Sequence, residues 1–561
     1  MKTRARRSIR STALIAVSAI VAATLPVLPA SAERGSTPDA GAPGGTTITN
    51  DTFWHDTDGN PIFSQGGGIF DFEDPETGEV KHYWYGPRYT GAEDYYADPT
   101  HPITSGGDTF VAVSAYSSTD LVNWTFEGDV LTRDQVDSFT DIGTGKATWV
   151  GRMGVAYLEE LDKYALLSQH GIRVEGQTKS DGAEFVALSD SPTGPFVADR
   201  RLKMTDYSAE MTPSTGDQTV FTDTDGTSYL VYSKSDGRNK IFISRIGVRD
   251  GHVDLFDTVK VYDGVGREGN SMFKYDGRYY LTASDLFGWN ASRPYYLVAD
   301  DVFGPYTPTN DMQKIPGGEA DFGHVTQTGF YYTVRGTKQE TVIYAGDRWA
   351  DFAGNGLGYN QWTPLSFSED GTPHFNSLSR WNLDATSGKW SVAGGNDYVL
   401  NGAFEADRVT APYNDKEGKP IPEIAGWTRT NPDAVWNEAD QSGRVGNFNL
   451  TFRSASPYSA KIQQTIDPAN FPLPTGKYTL TAQVRKPGEL KDATLWATSG
   501  GKTYATKISR LPATGSEWVE VTVPVKVKNG SVTVGISVAG EADQGLYADD
   551  ITLTAADGGA R

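Results

Sequence analysis

The chain of 561 residues contains no cysteine. Disulfides, thiolate metal sites and thiol nucleophiles are therefore excluded. Without such staples the chain must rest on packed cores, and its length is too great for one. Long apolar runs are scarce as well. Beyond Leu28 no stretch approaches the roughly eighteen uninterrupted apolar residues of a membrane span. The seven histidines are scattered, and no HExxH, paired-His or EF-hand spacing occurs. Asp223-Thr224-Asp225-Gly226 has a calcium-like look but reads better as a turn. Helical periodicity is absent over any long window. Cations are in the minority, 50 against 71 acidic residues, for a net charge of −21. Such a surface repels phosphate backbones and anionic membranes, so nucleic acid, membranes and acidic glycans are poor partners.

What is present begins with a cationic start, Lys2, Arg4, Arg6, Arg7 and Arg10. An apolar run from Ala13 to Leu28 follows, then Ala30-Ser31-Ala32. This is the pattern of a secretion signal, residues 1–32, and the expected location is extracellular. Cleavage would leave 529 residues (561 minus 32), and a charge of −26 once five cations leave. Residues 33–46 are rich in Gly, Pro, Ser and Thr and read as a flexible leader.

From about Ile48 short aromatic and β-branched runs alternate with Asp, Gly, Asn and Ser clusters. His82-Tyr83-Trp84-Tyr85, Tyr164-Ala165-Leu166-Leu167, Ser228-Tyr229-Leu230-Val231-Tyr232 and Arg278-Tyr279-Tyr280-Leu281 are strand candidates, and the fold class is all-β. The strands recur with related surroundings. Asp217 stands nine residues before Gly226, Glu268 nine before Gly277, and Gln327 nine before Gly336. Each is a polar residue at the mouth of a strand, followed by a tight turn where Gly supplies positive φ, and then a second aromatic strand. Looser copies begin at Gln65-Gly66-Gly67-Gly68 and at Gly151. Five copies predict a five-bladed β-propeller over residues 47–395. After Gly394-Gly395 a new region opens with Val399–Glu405. Ser459–Ile466, Lys477–Val484, Val519–Val523 and Ile551–Leu553 alternate with period two, which predicts a β-sandwich, a jelly roll, over residues 396–561.

In a propeller the innermost strands gather equivalent residues at one end of the channel, here Gln65, Gly151, Asp217, Glu268 and Gln327. Two converging carboxylates suit acetal hydrolysis, because one must stay protonated to hand its proton to the leaving oxygen. Ser117–Trp124, Asp217–Gly226, Arg267-Glu268, Ser191–Phe196 and Val302–Tyr306 together resemble the family 43 glycoside hydrolases. Gly66-Gly67-Gly68-Ile69 and Tyr344–Trp349 are similar to the branch with the exo-β-1,3-galactanases. The resemblance covers about residues 55–390. It implies an inverting, exo-acting glycosidase on a neutral galactan or arabinogalactan, with Glu268 as general acid and Asp217 tuning and orienting it. Gln327 would hold or activate the water. An amide is too weak a base at neutral pH unless it passes through its imidic tautomer, so Asp321 or Asp347 stands as the alternative proton acceptor.

Gln65, Arg152, Trp289 and Asp347 are the candidates for contact with substrate. The branch carries an acid before the arginine of the second blade, where this chain has Gly151. That departure opens the alternatives of an arabinofuranosidase, a galactofuranosidase or a glycan-binding propeller without catalysis. A secreted adhesion protein is the weaker reading, since it leaves the carboxylates without a task. Trp149, Trp289 and Trp362 fall in loop-like segments where a ring can stack on a sugar face, and Trp289 also matches a family position. No cofactor is required, and no metal site is expected at the catalytic residues. A structural Ca2+ near Glu405 and Asp550 would suit a carbohydrate-binding sandwich. The expected state is a monomer.

Overall fold

Aromatic and β-branched runs between Gly- and Asp-rich turns fold as antiparallel hairpins, because branched and ring side chains fit a pleated surface and the turn residues reverse the chain. The computed structural model describes residues 46–98, 110–139, 146–173, 183–288, 290–348, 359–406, 424–439, 448–467 and 473–556. The expected signal, most of the leader and Trp289 lie outside these residues. Strands dominate, and the α-helices among the described residues are short, Thr90–Ala97 and Arg133–Asp137, while Phe322–Val325 makes a single left-handed turn. None is long and apolar enough to cross a membrane.

Among the described residues five four-stranded sheets follow one another, each with its strands in sequence order. The first comprises Gly68–Glu73, Val80–Tyr89, Phe110–Ser118 and Thr125–Thr132. The second comprises Lys146–Leu158, Lys163–Arg173, Glu184–Ser189 and Val197–Leu202. Thr215–Thr222, Ser228–Lys234, Lys240–Arg249 and His252–Asp263 make the third. Glu268–Tyr275, Arg278–Ser284, Pro294–Ala299 and Gln313–Lys314 make the fourth. The fifth is Gln327–Arg335, Glu340–Arg348, Tyr359–Phe367 and Pro373–Phe375. All four runs singled out as strands lie in second strands of these sheets, and each four-stranded meander fits one expected blade.

Neighbouring sheets share apolar cores. One joins the first three sheets through Phe70, Val155 and Val220. Another joins the third and fourth through Val231 and Leu281, and a further one the fourth and fifth through Phe273 and Tyr344. The last sheet also meets the first: Phe330 and Ile343 pack with Ile69 and Trp84. Thr47–Thr49 pairs with Arg380–Asp384 beyond the fifth sheet, which ties the two ends of this region together.

Two expectations are corrected here. Trp362 is not in a loop. It lies in the strand Tyr359–Phe367, 1 % exposed, with its ring 4.9 Å from those of Trp54 and Trp84. A ring enclosed by other rings offers no face to a sugar. Trp149 likewise belongs to a strand, Lys146–Leu158. The turn glycines also differ among themselves. Gly226 and Gly277 adopt positive φ, 87° and 74°. Gly336 serves instead for close approach, since a Cβ there would lie 2.0 Å from the Gly388 nitrogen.

The C-terminal region forms two five-stranded antiparallel sheets. In order across the sheet, one holds Thr428–Thr430, Tyr458–Ile466, Val532–Gly540, Asp492–Ser499 and Lys502–Lys507. The other holds Val435–Ala439, Phe448–Arg453, Gly545–Ala555, Gly476–Arg485 and Val519–Val527. Burial alternates along strands such as Val519–Val527, where Val521, Val523, Val525 and Val527 are buried. One core receives side chains from both sheets, including Ile462, Leu495, Leu480 and Leu553.

Candidate active site

The first strands of the second to fifth sheets carry Arg152, Asp217, Glu268 and Gln327, and Gln65 precedes that of the first. In four of the five, the ladder slips at that point: between Gly151 and Met153, Thr215 and Gln218, Glu268 and Ser271, and Thr328 and Phe330. Such bulges turn a side chain away from the regular alternation. Arg152 sits inside one of them with φ 40°. Gly269 follows Glu268 with φ 58°, and a Cβ on it would lie 2.5 Å from the Thr328 carbonyl oxygen. Only glycine fits that approach.

Arg152, Asp217, Glu268, Gln327 and Asp347 are all buried and form one network. Arg152 is its hub. Its Nη1 donates to Asp347 Oδ2 at 2.8 Å and its Nη2 to Gln327 Oε1 at 2.8 Å, while Nε lies 3.4 Å from Asp217 Oδ2. Asp347 Oδ1 accepts from the Gly66 backbone N–H at 2.9 Å. The glycine run permits this, because a Cβ on Gly67 would overlap the Tyr85 carbonyl oxygen at 1.6 Å. Gln65 is buried beside that donor.

Asp217 and Glu268 come from neighbouring sheets and are joined by Arg238. Its Nη1 donates to Asp217 Oδ1, and its Nε is 3.4 Å from Glu268 Oε1. Asp217 Oδ2 also accepts from the Gly269 N–H at 2.8 Å. Glu268 Oε2 accepts twice, from Gly288 N at 3.0 Å and from Gln327 Nε2 at 3.3 Å. With Oε2 so occupied, the proton of a neutral Glu268 belongs on Oε1.

The surroundings drive these carboxyls apart. Burial works to raise Asp217, but Arg238 and Arg152 outweigh it and hold the group at about 2. Burial pushes Glu268 up to about 7, with Arg238 opposing and the Asp217 charge adding to the rise. Burial also lifts Asp347 to about 6 in spite of Arg152. Near neutrality the network holds one firmly ionised carboxylate beside one carboxyl still able to give a proton. Such a split between neighbours is the usual basis of acid–base assignment.

The sequence reading thus brought Asp217, Glu268, Gln327, Arg152 and Asp347 to one place. It missed Arg238, and it missed the backbone donors of Gly66, Gly269 and Gly288. Asp321 lies outside the network. It accepts from His324 N at 3.0 Å and from the Ser377 hydroxyl. His324 is lifted to about 10: burial lowers it, but the Asp51 and Asp321 carboxylates prevail. It is an ion-paired residue of the fold. Glu405 and Asp550 border a cavity of about 190 Å³, and Glu405 Oε1 accepts from Phe448 N at 2.9 Å. Among the described residues no group of three His, Asp or Glu has a metal-holding arrangement.

The family model described as glycosyl hydrolases family 43 matches residues 88–373, just over half of the chain. No curated protein matches. Among solved structures the chain is similar to an exo-β-1,3-galactanase from Clostridium thermocellum, at 20 % identity and a TM-score of 0.50, covering 91 % of this chain and 100 % of that one. It is also similar to an exo-β-1,3-galactanase from Phanerochaete chrysosporium solved with galactose, at 20 % identity and a TM-score of 0.48, covering 90 % of this chain and 100 % of the other.

Proposed function

The chain belongs to the glycosyl hydrolases of family 43, and from that premise we propose that it is a secreted, exo-acting, inverting glycosidase of β-1,3-galactan or arabinogalactan. The five meanders, with a core shared between last and first, support a five-bladed propeller over residues 47–395. The two C-terminal sheets around one core support a sandwich over residues 396–561, which we assign to carbohydrate binding. Residues 1–32 would be the secretion signal.

The observation that carries this reading is the contrast between Asp217 and Glu268 across Arg238. Glu268, protonated on Oε1, gives its proton to the glycosidic oxygen as the bond to the anomeric carbon breaks. Asp217 stays ionised and keeps the acid's proton affinity high. A water attacks the anomeric carbon from the opposite face and loses a proton, which yields the sugar with inverted configuration. Gln327 serves to position this centre: its oxygen is already engaged by Arg152 and its nitrogen by Glu268. Asp347, held at about 6, takes the water's proton, since a base is most effective when its pKa lies near the working pH. Arg152 orients Asp347, Gln327 and Asp217, and Gln65 and Trp289 complete the sugar contacts.

Product analysis on β-1,3-galactan tests the assignment. Wild type releases free galactose and Glu268→Gln releases none. Undiminished release by that variant removes the reading. Gly151 motivates a second reading, a different terminal sugar such as an arabinofuranoside or galactofuranoside. A panel of these substrates separates the two, and saturable glycan binding without any product would mark a binding protein.

A further inference from the structure

Gln327 is reached through a strained piece of chain. Phe322, Gly323, His324 and Val325 all adopt positive φ, at 48°, 61°, 56° and 62°. Three of these are not glycine and one is β-branched, which L-residues avoid in this region. A left-handed turn of this kind persists only where its surroundings over-determine it, and such strain gathers at functional sites.

The surroundings are specific. Gly323 N donates to the Gly318 oxygen at 2.6 Å and Val325 N to the Asp321 oxygen at 2.9 Å. Thr326 Oγ1 donates to the Gly323 oxygen at 2.7 Å, and Gln361 Nε2 to the His324 oxygen at 2.7 Å. The remaining wall comes from far along the chain. The buried Phe322 ring packs in a small cluster with Ala291 and with Ala406 and Ala425, which precede and adjoin the C-terminal sheets. Gly426, with φ 80°, passes so close that a Cβ would lie 2.7 Å from the Ala320 oxygen. This corner is itself fixed. Gln464, on the strand Tyr458–Ile466, donates to the oxygens of Leu400 and Gly426 at 2.9 and 3.0 Å and accepts from Leu400 N at 2.8 Å.

Phe322 also supports a second path. Arg293 lies 4.4 Å over its ring and is 3.2 Å from Asp285 Oδ2. Asp285 Oδ2 also accepts from the Arg293 N–H at 3.3 Å, which closes the base of the loop containing Gly288. The left-handed turn leads to Gln327, and the loop leads to Gly288. Both end on one atom, Oε2 of Glu268.

We propose that the C-terminal region, through Ala406, Ala425 and Gly426, is a positioning element of the reactive centre, clamping Phe322 and thereby fixing the two N–H groups that orient Glu268. Its part is then more than holding polymer. The inference rests on Glu268 being the proton donor. When the clamp loosens, Oε2 loses its donors, the carboxyl hydrogen is no longer confined to Oε1, and the ionised form loses support.

The test uses the full chain carrying Gly426→Ala or Phe322→Ala, with Phe322→Leu as the conservative partner. Each of the first two lowers kcat on a short galactoside by about tenfold or more while KM changes by less than about twofold, the signature of lost orientation. The alkaline limb of the pH profile moves to higher pH, and Phe322→Leu restores most of the rate. Amide exchange over residues 318–329 quickens in Gly426→Ala. Should Phe322→Ala fail to fold, Gly426→Ala decides alone. A folded Gly426→Ala protein with wild-type kcat, pH limb and exchange overturns the clamp. The exchange readout needs no turnover, so an inactive wild type would sink the proposed function while still deciding the clamp.

Discussion

Arg152 donates to the amide oxygen of Gln327 at 2.8 Å, which fixes that amide with its NH2 group toward Glu268. The two ends of the side chain are thereby distinguished, and the residue's part becomes legible. Its oxygen is held by Arg152 and one of its two N–H donors points to Glu268. Gln327→Glu would place a second carboxyl against Glu268 and leave an acceptor where a donor is needed. The expected outcome is a loss of kcat of about a hundredfold or more, read with a short galactoside, because like charges at this separation raise the donor's pKa and misplace its proton.

Activity should follow a bell against pH. Glu268 works protonated, and its pKa is raised to about 7, so the rate falls as pH rises through that value. Asp347 works ionised, at about 6, so the rate also falls as pH drops below it. A profile of kcat/KM from about pH 4 to 9 checks both limbs, since it reports the free enzyme. A plateau persisting well beyond pH 8 would contradict the assignment of Glu268.

Asp217→Asn removes the negative charge that helps to keep Glu268 protonated. The alkaline limb then moves to lower pH, and the maximal rate drops. An unmoved limb in a folded Asp217→Asn protein would show that the two acids do not communicate.

Glu184 provides a stability test away from the reaction. It is fully buried, accepts from Gln218 Nε2 at 2.6 Å, and is raised by burial to about 8 from an ordinary 4.5. A carboxyl raised on folding contributes fully below its unfolded value, and that contribution is lost as pH rises toward the folded one. Stability should therefore decline between about pH 4.5 and 8, by up to about 1.4 kcal/mol per pH unit. Glu184→Gln keeps an acceptor for Gln218 and should flatten that slope in thermal unfolding.

Trp362→Ala should cost about 3–5 kcal/mol through the cavity it leaves, visible as a lower Tm, with KM unchanged. A change in KM at constant Tm would return Trp362 to the sugar site.

Much of this arrangement was legible in the sequence because first strands repeat. Asp217, Glu268 and Gln327 share one offset from a turn glycine, and the fold brings them together. Arg238 escaped notice because it lies at the turn between the second and third strands of its sheet, away from the first-strand repeat that marks Asp217, Glu268 and Gln327. Trp362 misled because Asn360, Gln361 and Thr363 surround it, which reads as a polar loop. In the structure those polar groups are buried and largely bonded within the fold: Asn360 to the Ile62 oxygen and Gln361 to the His324 oxygen. The contact of Phe322 with Ala406 and Ala425 joins residues about eighty to a hundred positions apart. No local pattern encodes such a meeting, since it depends on how two separate cores come to rest against each other.

The ladder slips at Gly151, Thr215, Glu268 and Thr328 carry a consequence for how this chain tolerates change in length. Strand faces alternate every residue, so losing one residue from a slipped position would restore regular pairing. Deleting Gly151 would carry Arg152 into register and swing its guanidinium off Asp347 and Gln327, with no hydrophobic residue lost. Point substitutions around these strands should therefore be survivable at many positions, while single-codon deletions at the same places should leave a folded protein stripped of turnover.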